Sequence, residues 1–307
     1  MLAGGVGAAR FLRGLLRRVD QRRIRVIVNT GDDEEFYGLH VSPDVDTIVY
    51  TLAGVANSLH GWGLKGESFK VLGALERFYG RAWFALGDRD LATHLYRTER
   101  LRAGRPLSQV TSEIAARFGI KSSVIPMSDD RVRTFVKLRG RPDALAFQEY
   151  LVHRRARGTI EAIELRGAAQ AVTTQAALEA ITTSVAVILA PSNPFVSLGP
   201  ILALSGVREA LRAAKTRVAA ISPIVGGRTI KGPADRMMRG LGHEVSPLGV
   251  ARLYQDLIGV FVLDNADRRY LASIEALGMR AVATDTIMTN PARAARLADV
   301  VMRALAV

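Results

Sequence analysis

Four short apolar runs in the second half of the chain, each closed by small or polar residues, constrain the fold more than any other feature. Val185-Ala186-Val187-Ile188-Leu189 is a continuous β-rich run of the kind buried in a parallel sheet, and it exits into Ala190-Pro191-Ser192-Asn193-Pro194. Val218-Ala219-Ala220-Ile221 ends in Ser222-Pro223-Ile224-Val225-Gly226-Gly227, Val260-Phe261-Val262-Leu263 in Asp264-Asn265, and Arg280-Ala281-Val282-Ala283 in Thr284-Asp285-Thr286. Helices are expected between and after them, around 234–239, 249–257, 268–277 and 292–304. Such an alternation describes the carboxyl edge of a doubly wound α/β sheet, which is where ligands sit in these folds.

The first half carries a second signal. Between Val26 and Leu64 there is no lysine or arginine, although Lys and Arg outnumber Asp and Glu by 13 over the whole chain. Into that run are packed Asp32, Asp33, Glu34, Glu35, Asp44 and Asp46. Arg25-Val26-Ile27-Val28 reads as a buried strand ending at Asn29-Thr30-Gly31-Asp32-Asp33. Ser42-Pro43-Asp44 reads as a helix start, with Ser42 as N-cap and proline in the first turn. Carboxylates at a strand end and a helix head, apart from compensating cations, suit a hard metal ion or a polar substrate. That role is assigned to Asp44 and Asp46, whereas Glu34 and Glu35 read as a solvated loop.

Gly4-Gly5-Val6-Gly7 is a glycine turn opening a helix that carries Phe11, Leu12, Leu15 and Leu16 on one face. Glycines of this kind let backbone amides approach a phosphate, though a tight strand–helix turn has the same composition. No Gly-Lys-Ser/Thr follows, and Arg10 stands where a dinucleotide fingerprint needs its third glycine or alanine. The strand expected ahead of the turn is nearly absent, so the chain begins late or its true start lies upstream. Trp83-Phe84-Ala85-Leu86 reads as a short buried strand ending in Gly87-Asp88-Arg89-Asp90, after a helix over 68–79. Val132–Leu138 and Leu145–Val152 alternate as antiparallel strands. The chain thus reads as a single α/β domain over 1–307, with a small inserted or antiparallel region at about 104–170. The basic run Arg154-Arg155-Ala156-Arg157 reads as a solvated face.

Composition removes several function classes. With no cysteine in 307 residues, disulfides and thiolate metal sites are excluded, which fits a reducing cytoplasm. No apolar segment is long enough to span a membrane, and no signal peptide precedes the glycine turn. His40, His60, His94, His153 and His243 show no ligand spacing, and there is no G-x-S-x-G elbow. The excess of positive charge calls for an anionic partner. Few aromatics and no basic tail point to a phosphorylated small molecule and away from nucleic acid. Phosphate-friendly loops with strand-terminal acids suit phosphoryl or phosphodiester transfer assisted by a divalent metal.

The conjunction of Gly4–Gly7, Asn29–Asp33, Ser42-Pro43-Asp44-Val45-Asp46-Thr47 and Gly87–Asp90 with Pro126-Met127-Ser128-Asp129-Asp130, Pro191–Pro194, Ser222–Gly227 and Thr284–Thr286 resembles the 2-phospho-L-lactate transferase family, the CofD-like enzymes of coenzyme F-420 biosynthesis. The resemblance spans nearly the whole chain. It implies a Rossmann-like, Mg2+-dependent, homodimeric enzyme. Such an enzyme moves a phospholactyl, phosphoenolpyruvyl or phosphoglyceryl unit from a guanosine diphosphate-linked donor to the deazaflavin alcohol Fo, releasing GMP. It also places acceptor contacts at Asp46, Asp88 and Arg89. Asp44, Asp46 and Arg89 are then the expected catalytic residues and Asp32, Asp44 and Asp46 the metal ligands. Gly4, Gly5, Gly7, Ser192, Asn193, Ser222, Gly226 and Gly227 are the expected phosphate and guanosine contacts. The alternative on the same fold is a non-catalytic nucleotide- or phosphosugar-binding regulator, and which of the three units is transferred stays open.

Overall fold

The computed structural model describes residues 1–57 and 61–306. At their centre lies a sheet of seven parallel strands: β1 (Leu2–Ala3), β2 (Arg25–Val28), β3 (Ser123–Pro126), β4 (Val187–Leu189), β5 (Val218–Ile221), β6 (Val260–Asp264) and β7 (Arg280–Thr284). Across the sheet the order is β3-β2-β1-β4-β5-β6-β7, so strand order reverses between β1 and β4. Alternation along each strand feeds two apolar layers. Leu2, Ile27, Val187 and Leu189 enter one cluster, while Ala3, Val26, Val28 and Ile188 enter the other. Helices cover both faces, as a buried parallel sheet requires.

Two residues suffice for β1 because it is held from both sides. Ile27 N–H donates to the Met1 carbonyl at 2.8 Å, Asn29 N–H to Ala3 at 3.0 Å, and Ala190 N–H to Leu2 at 3.1 Å. Directly after it, α1 (Gly5–Leu15) packs on the helix Pro291–Ala304, with Gly14 against the backbone of Ala294 where no Cβ could fit. α2 (Pro43–Leu52) is buried at nearly every position. α3 (Lys70–Tyr79) buries none, and α4 (Asp90–Arg102) buries one face. No helix among the described residues is long and apolar enough to cross a membrane.

Several local expectations change. Residues 32–41 are not a plain loop, since Glu34–Phe36 pairs antiparallel with Leu39–Val41. The turn between them has positive φ at both Tyr37 (54°) and Gly38 (74°), the combination that matches hairpin twist. Glu34 is not simply solvated, because it pairs with Arg133, whereas Glu35 is exposed. Trp83–Leu86 is irregular rather than a strand. Its aromatic rings pack on Phe36 instead, with Phe84 stacked at 4.1 Å and Trp83 edge-on at 5.3 Å. Within Leu145–Val152 only Leu145–Ala146 is a strand, followed by a π-helix at Glu149–His153 that buries Tyr150. Of the span 104–170, the helix Leu107–Arg117 packs on β3, itself part of the main sheet. Only residues from Arg133 to Arg166 form the separate three-stranded antiparallel sheet. The helix expected at 268–277 is a 3-10 turn, Asn265–Tyr270, running into a short α-helix, Leu271–Glu275.

Candidate active site

The reversal of strand order between β1 and β4 leaves a crevice beyond their carboxyl ends, the position where doubly wound sheets bind ligands. A cavity of about 520 Å3 opens there. Its walls come from the glycine turn, the acidic stretch, the loops after β4 and β5, and the segment around Trp62 and Trp83.

One wall is built around Asp44. Its two carboxylate oxygens are fixed separately: Gly5 N–H donates to Oδ1 at 2.7 Å, and the Asn29 amide donates to Oδ2 at 2.9 Å. Asn29 also donates to Val196 O and accepts from Gly31 N–H, so its orientation is determined from three directions. Asp32 is buried beside this pair, and its Oδ1 has no hydrogen-bond partner among the described residues. Burial pushes the Asp44 carboxyl up to about 6, with Asp33 adding to it and the bonds from Asn29 and Gly5 opposing. Burial and the neighbouring Asp44 raise Asp32 well above the usual carboxylate range. Asp33 is satisfied differently, by the Ser42 hydroxyl at 2.7 Å and His40 Nε2 at 2.9 Å. Ser42 therefore occupies the N-cap position of α2 without capping it by its side chain.

Asp46, one turn along α2, faces α4. The fully buried Arg97 donates to both of its oxygens, through Nη1 to Oδ2 at 3.1 Å and through Nη2 to Oδ1. Arg97 Nη1 also lies 3.3 Å from His94 Nδ1, and His94 Nε2 lies 3.4 Å from Asp90 Oδ1, which accepts from the Tyr50 hydroxyl. Burial alone would raise the Asp90 carboxyl; hydrogen bonding and charge from His94, with Tyr50 and Arg97, hold it below its ordinary value.

Two groups are chemically able to hold a cation. Ligand atoms of Asp46, Asp90 and His94 lie within 4.8 Å of one another, but a divalent ion there would meet a guanidinium already neutralising Asp46. Asp32 and Asp44 offer hard oxygen donors, no neighbouring cation among the groups that act on them, and an unpartnered oxygen on Asp32, which suits Mg2+ once both are deprotonated. Asp32 and Asp44 thus fit the ion best.

Gly4, Gly5, Gly7, Ser192, Asn193 and Ser222 all line the cavity. Their local roles differ from a free phosphate cradle. A Cβ on Gly4 would sit 2.7 Å from Ser197 Cβ and 2.8 Å from Asp44 Oδ2, and one on Gly7 would strike the Pro191 carbonyl. Gly5 has φ +70° and gives its N–H to Asp44. Gly226 and Gly227 are not part of the lining, and Gly226 N–H goes to Asp267 at 2.8 Å. Asp88 and Arg89 are not brought to the cavity either. The Asp88 carboxylate caps α3, accepting from Lys70 and Val71 N–H at 3.0 Å each, while Glu67 accepts from Arg89 and Asp90 N–H at the head of α4. Exposed Arg89 donates its Nη1 to the Lys65 carbonyl at 2.5 Å. The position of Gly87 belongs to this clasp, because Glu67 lies where its Cβ would be. His60 lies outside the described residues.

Asn29, Asp90, His94 and Arg97 were missing from the expected set. The last three had a legible signal, Asp-x-x-x-His-x-x-Arg over 90–97, which places all three on one helix face.

The sequence profile of the family described as 2-phospho-L-lactate transferase CofD matches residues 1–302. The chain belongs to the CofD family. A phosphoenolpyruvate transferase of Kitasatospora aureofaciens is 44% identical over 97% of this chain and 94% of its own length. A 2-phospho-L-lactate transferase of Methanosarcina mazei is 35% identical over 99% of both chains. Among solved structures, a Bacillus halodurans protein superposes with a TM-score of 0.66 at 14% identity, covering 98% of this chain and 97% of its own. Family membership makes the protein a catalytic transferase of the 2-phospho-L-lactate transferase type, as the sequence motifs imply, and leaves no support for a non-catalytic regulator.

Two predictions rest on this geometry. Arg97→Met leaves Asp46 charged, buried and uncompensated, so urea unfolding should show a loss of about 3–5 kcal/mol. Adding Asp46→Leu should recover much of that loss, and an Arg97→Met variant of wild-type stability would contradict the pairing. The second concerns pH. Between pH about 4 and 6 the folded Asp44 keeps a proton that the unfolded chain has lost, so metal-free stability falls as pH rises through that window. Relative to Asp44→Asn, the wild type should lose about 2 to 2.5 kcal/mol between pH 4 and 7. Parallel stability–pH curves for the two proteins would refute the assignment.

Proposed function

We propose that the protein transfers a phosphoenolpyruvyl unit from a guanosine diphosphate-linked donor to Fo, releasing GMP and forming dehydro coenzyme F-420-0. The observation that carries the reading is the buried Asp32–Asp44 pair at the strand-order reversal of a CofD-family chain. The choice of unit rests on the relatives. Those named phosphoenolpyruvate transferase are 42–44% identical to this chain, and those named 2-phospho-L-lactate transferase 34–37%.

Chemically, the Fo ribityl hydroxyl attacks the phosphorus of the transferred unit, and the bond to the GMP oxygen breaks. Asp32 and Asp44 would hold Mg2+, which when bound supplies charge neutralisation at that phosphorus. Asp46, fixed in orientation by Arg97 and lining the cavity, would take the proton of the attacking hydroxyl as the bond to GMP breaks. Trp62, Trp83 and Phe84 line the cavity with aromatic surface suited to a deazaflavin ring. Arg89, expected at the acceptor, immediately precedes Asp90, which lines the cavity. The absence of cysteine accords with a reducing cytoplasm, where we place the reaction. The family resemblance carries a homodimer and no nucleic-acid partner.

The test is competition. Purified protein, Fo and Mg2+ are supplied with equimolar enolpyruvyl, lactyl and phosphoglyceryl donors, and products are read by mass. The dehydro product should dominate. Predominance of the lactyl product would overturn the choice of donor, and failure to consume any guanylated donor would overturn the reaction.

A further inference from the structure

The polar side chains at the nominated phosphate-binding loops are largely committed to the loops themselves. The Ser192 hydroxyl donates its proton to Gly4 O at 2.7 Å, and the Ser222 hydroxyl donates to Ile224 O at 2.9 Å. Asn193 donates one amide proton to Met237 Sδ and uses its oxygen to accept from Phe195 N–H. Gly5 N–H belongs to Asp44. A diphosphate entering the cavity therefore finds few free side-chain donors there, and it meets four acids in the walls: Asp32, Asp44, Asp46 and Asp90.

The cavity lining contains two residues that stay positively charged, Arg10 and Lys231. Arg10 stands one turn after Val6 on the same face of α1. A Cβ on Gly61 would lie 2.7 Å from Val6 Cγ1 and 3.3 Å from Lys231 Nζ, so the ammonium reaches that same helix face from the loop after Arg228–Thr229. Arg10 makes no hydrogen bond or ion pair among the described residues. Burial and the nearby Arg10 lower the Lys231 ammonium, an independent sign that the two positive groups converge. Two like charges held together at a cavity wall lose mutual repulsion when an anion enters between them.

We propose that Arg10 and Lys231 form the cationic pole of the site and bind the diphosphate of the guanylated donor, leaving the acids to the metal and acceptor. The inference rests on the proposed function, because it assigns residues to that donor. A polyanionic diphosphate fits this pole better than a carboxylate does. It presents oxygens to both the planar guanidinium and the point-charge ammonium at once. The tripartite cavity follows: cations for the diphosphate, acids for metal and hydroxyl, aromatic rings for the deazaflavin.

Binding of GDP and of guanosine is measured by calorimetry on the intact wild type, Arg10→Gln, Lys231→Gln and the double variant. Each single change should weaken GDP about tenfold and the pair about a hundredfold, with guanosine within about twofold of wild type. Arg10→Lys should restore part of the GDP affinity, and melting temperatures should stay close to wild type, since Arg10 is only half-buried and Lys231 is exposed. Unchanged GDP affinity in the double variant, or equal losses for GDP and guanosine, would overturn the inference. Wild-type protein that binds neither ligand would overturn the proposed function itself, before any variant is compared.

Discussion

The hold on Asp44 is the constraint around which the site is assembled. One carboxylate at the head of α2 takes the first amide of α1 and the side-chain amide at the end of β2. Three elements, α1, the end of β2 and α2, thereby converge on two oxygens. Gly5 at φ +70° turns its N–H toward that carboxylate, and Gly4 has to lack a Cβ because Asp44 and Ser197 close on it. The glycine turn is thus shaped first by an internal anion. Whatever ligand it later contacts enters a geometry already fixed by Asp44.

Buried negative charge is handled in two ways across this site. At Asp46 the chain supplies its own cation, the fully buried Arg97, and backs it with His94, Asp90 and Tyr50. Burial raises the carboxyls of Asp32, Asp44 and Asp46 alike, with Arg97 and His94 opposing it at Asp46 and no cation among the described residues opposing it at Asp32 or Asp44. Desolvated carboxylates without a compensating cation destabilise the free protein, and binding sites commonly carry such a cost. The difference assigns separate tasks to acids only two residues apart in sequence. Asp44 is held by neutral amide donors and Asp46 by a guanidinium.

The sheet was legible because its evidence is local and redundant. Val187–Leu189, Val218–Ile221, Val260–Asp264 and Arg280–Thr284 are strands close to where apolar runs meet small or polar residues. The acidic stretch was legible as a site through its lack of cations, and Asp32, Asp44 and Asp46 do share one cavity. Trp83–Leu86 misled because strand-like composition does not reveal whether a neighbouring edge exists, and its rings found Phe36 instead. Asp88 and Arg89 lie outside the cavity lining, and their hydrogen bonds were not legible for a related reason. An Asp-Arg-Asp turn has the same composition whether it faces a ligand or caps two helices, and the partner that decides, Glu67, lies some twenty residues away. Arg97 was hidden because a buried arginine is indistinguishable in sequence from a surface one. Only the face it shares with Asp90 and His94 on α4 sets it apart.

The central claim is that Asp32 and Asp44, and not the Asp46 network, are the pair left open for a divalent cation. Calorimetric Mg2+ titration of the metal-free protein, compared with Asp32→Asn, Asp44→Asn and Asp90→Asn, tests it most directly. The account predicts that the first two variants lose Mg2+ binding while Asp90→Asn retains it. Loss in Asp90→Asn with binding intact in Asp32→Asn would place the ion on the Asp46–Asp90–His94 group and contradict the account.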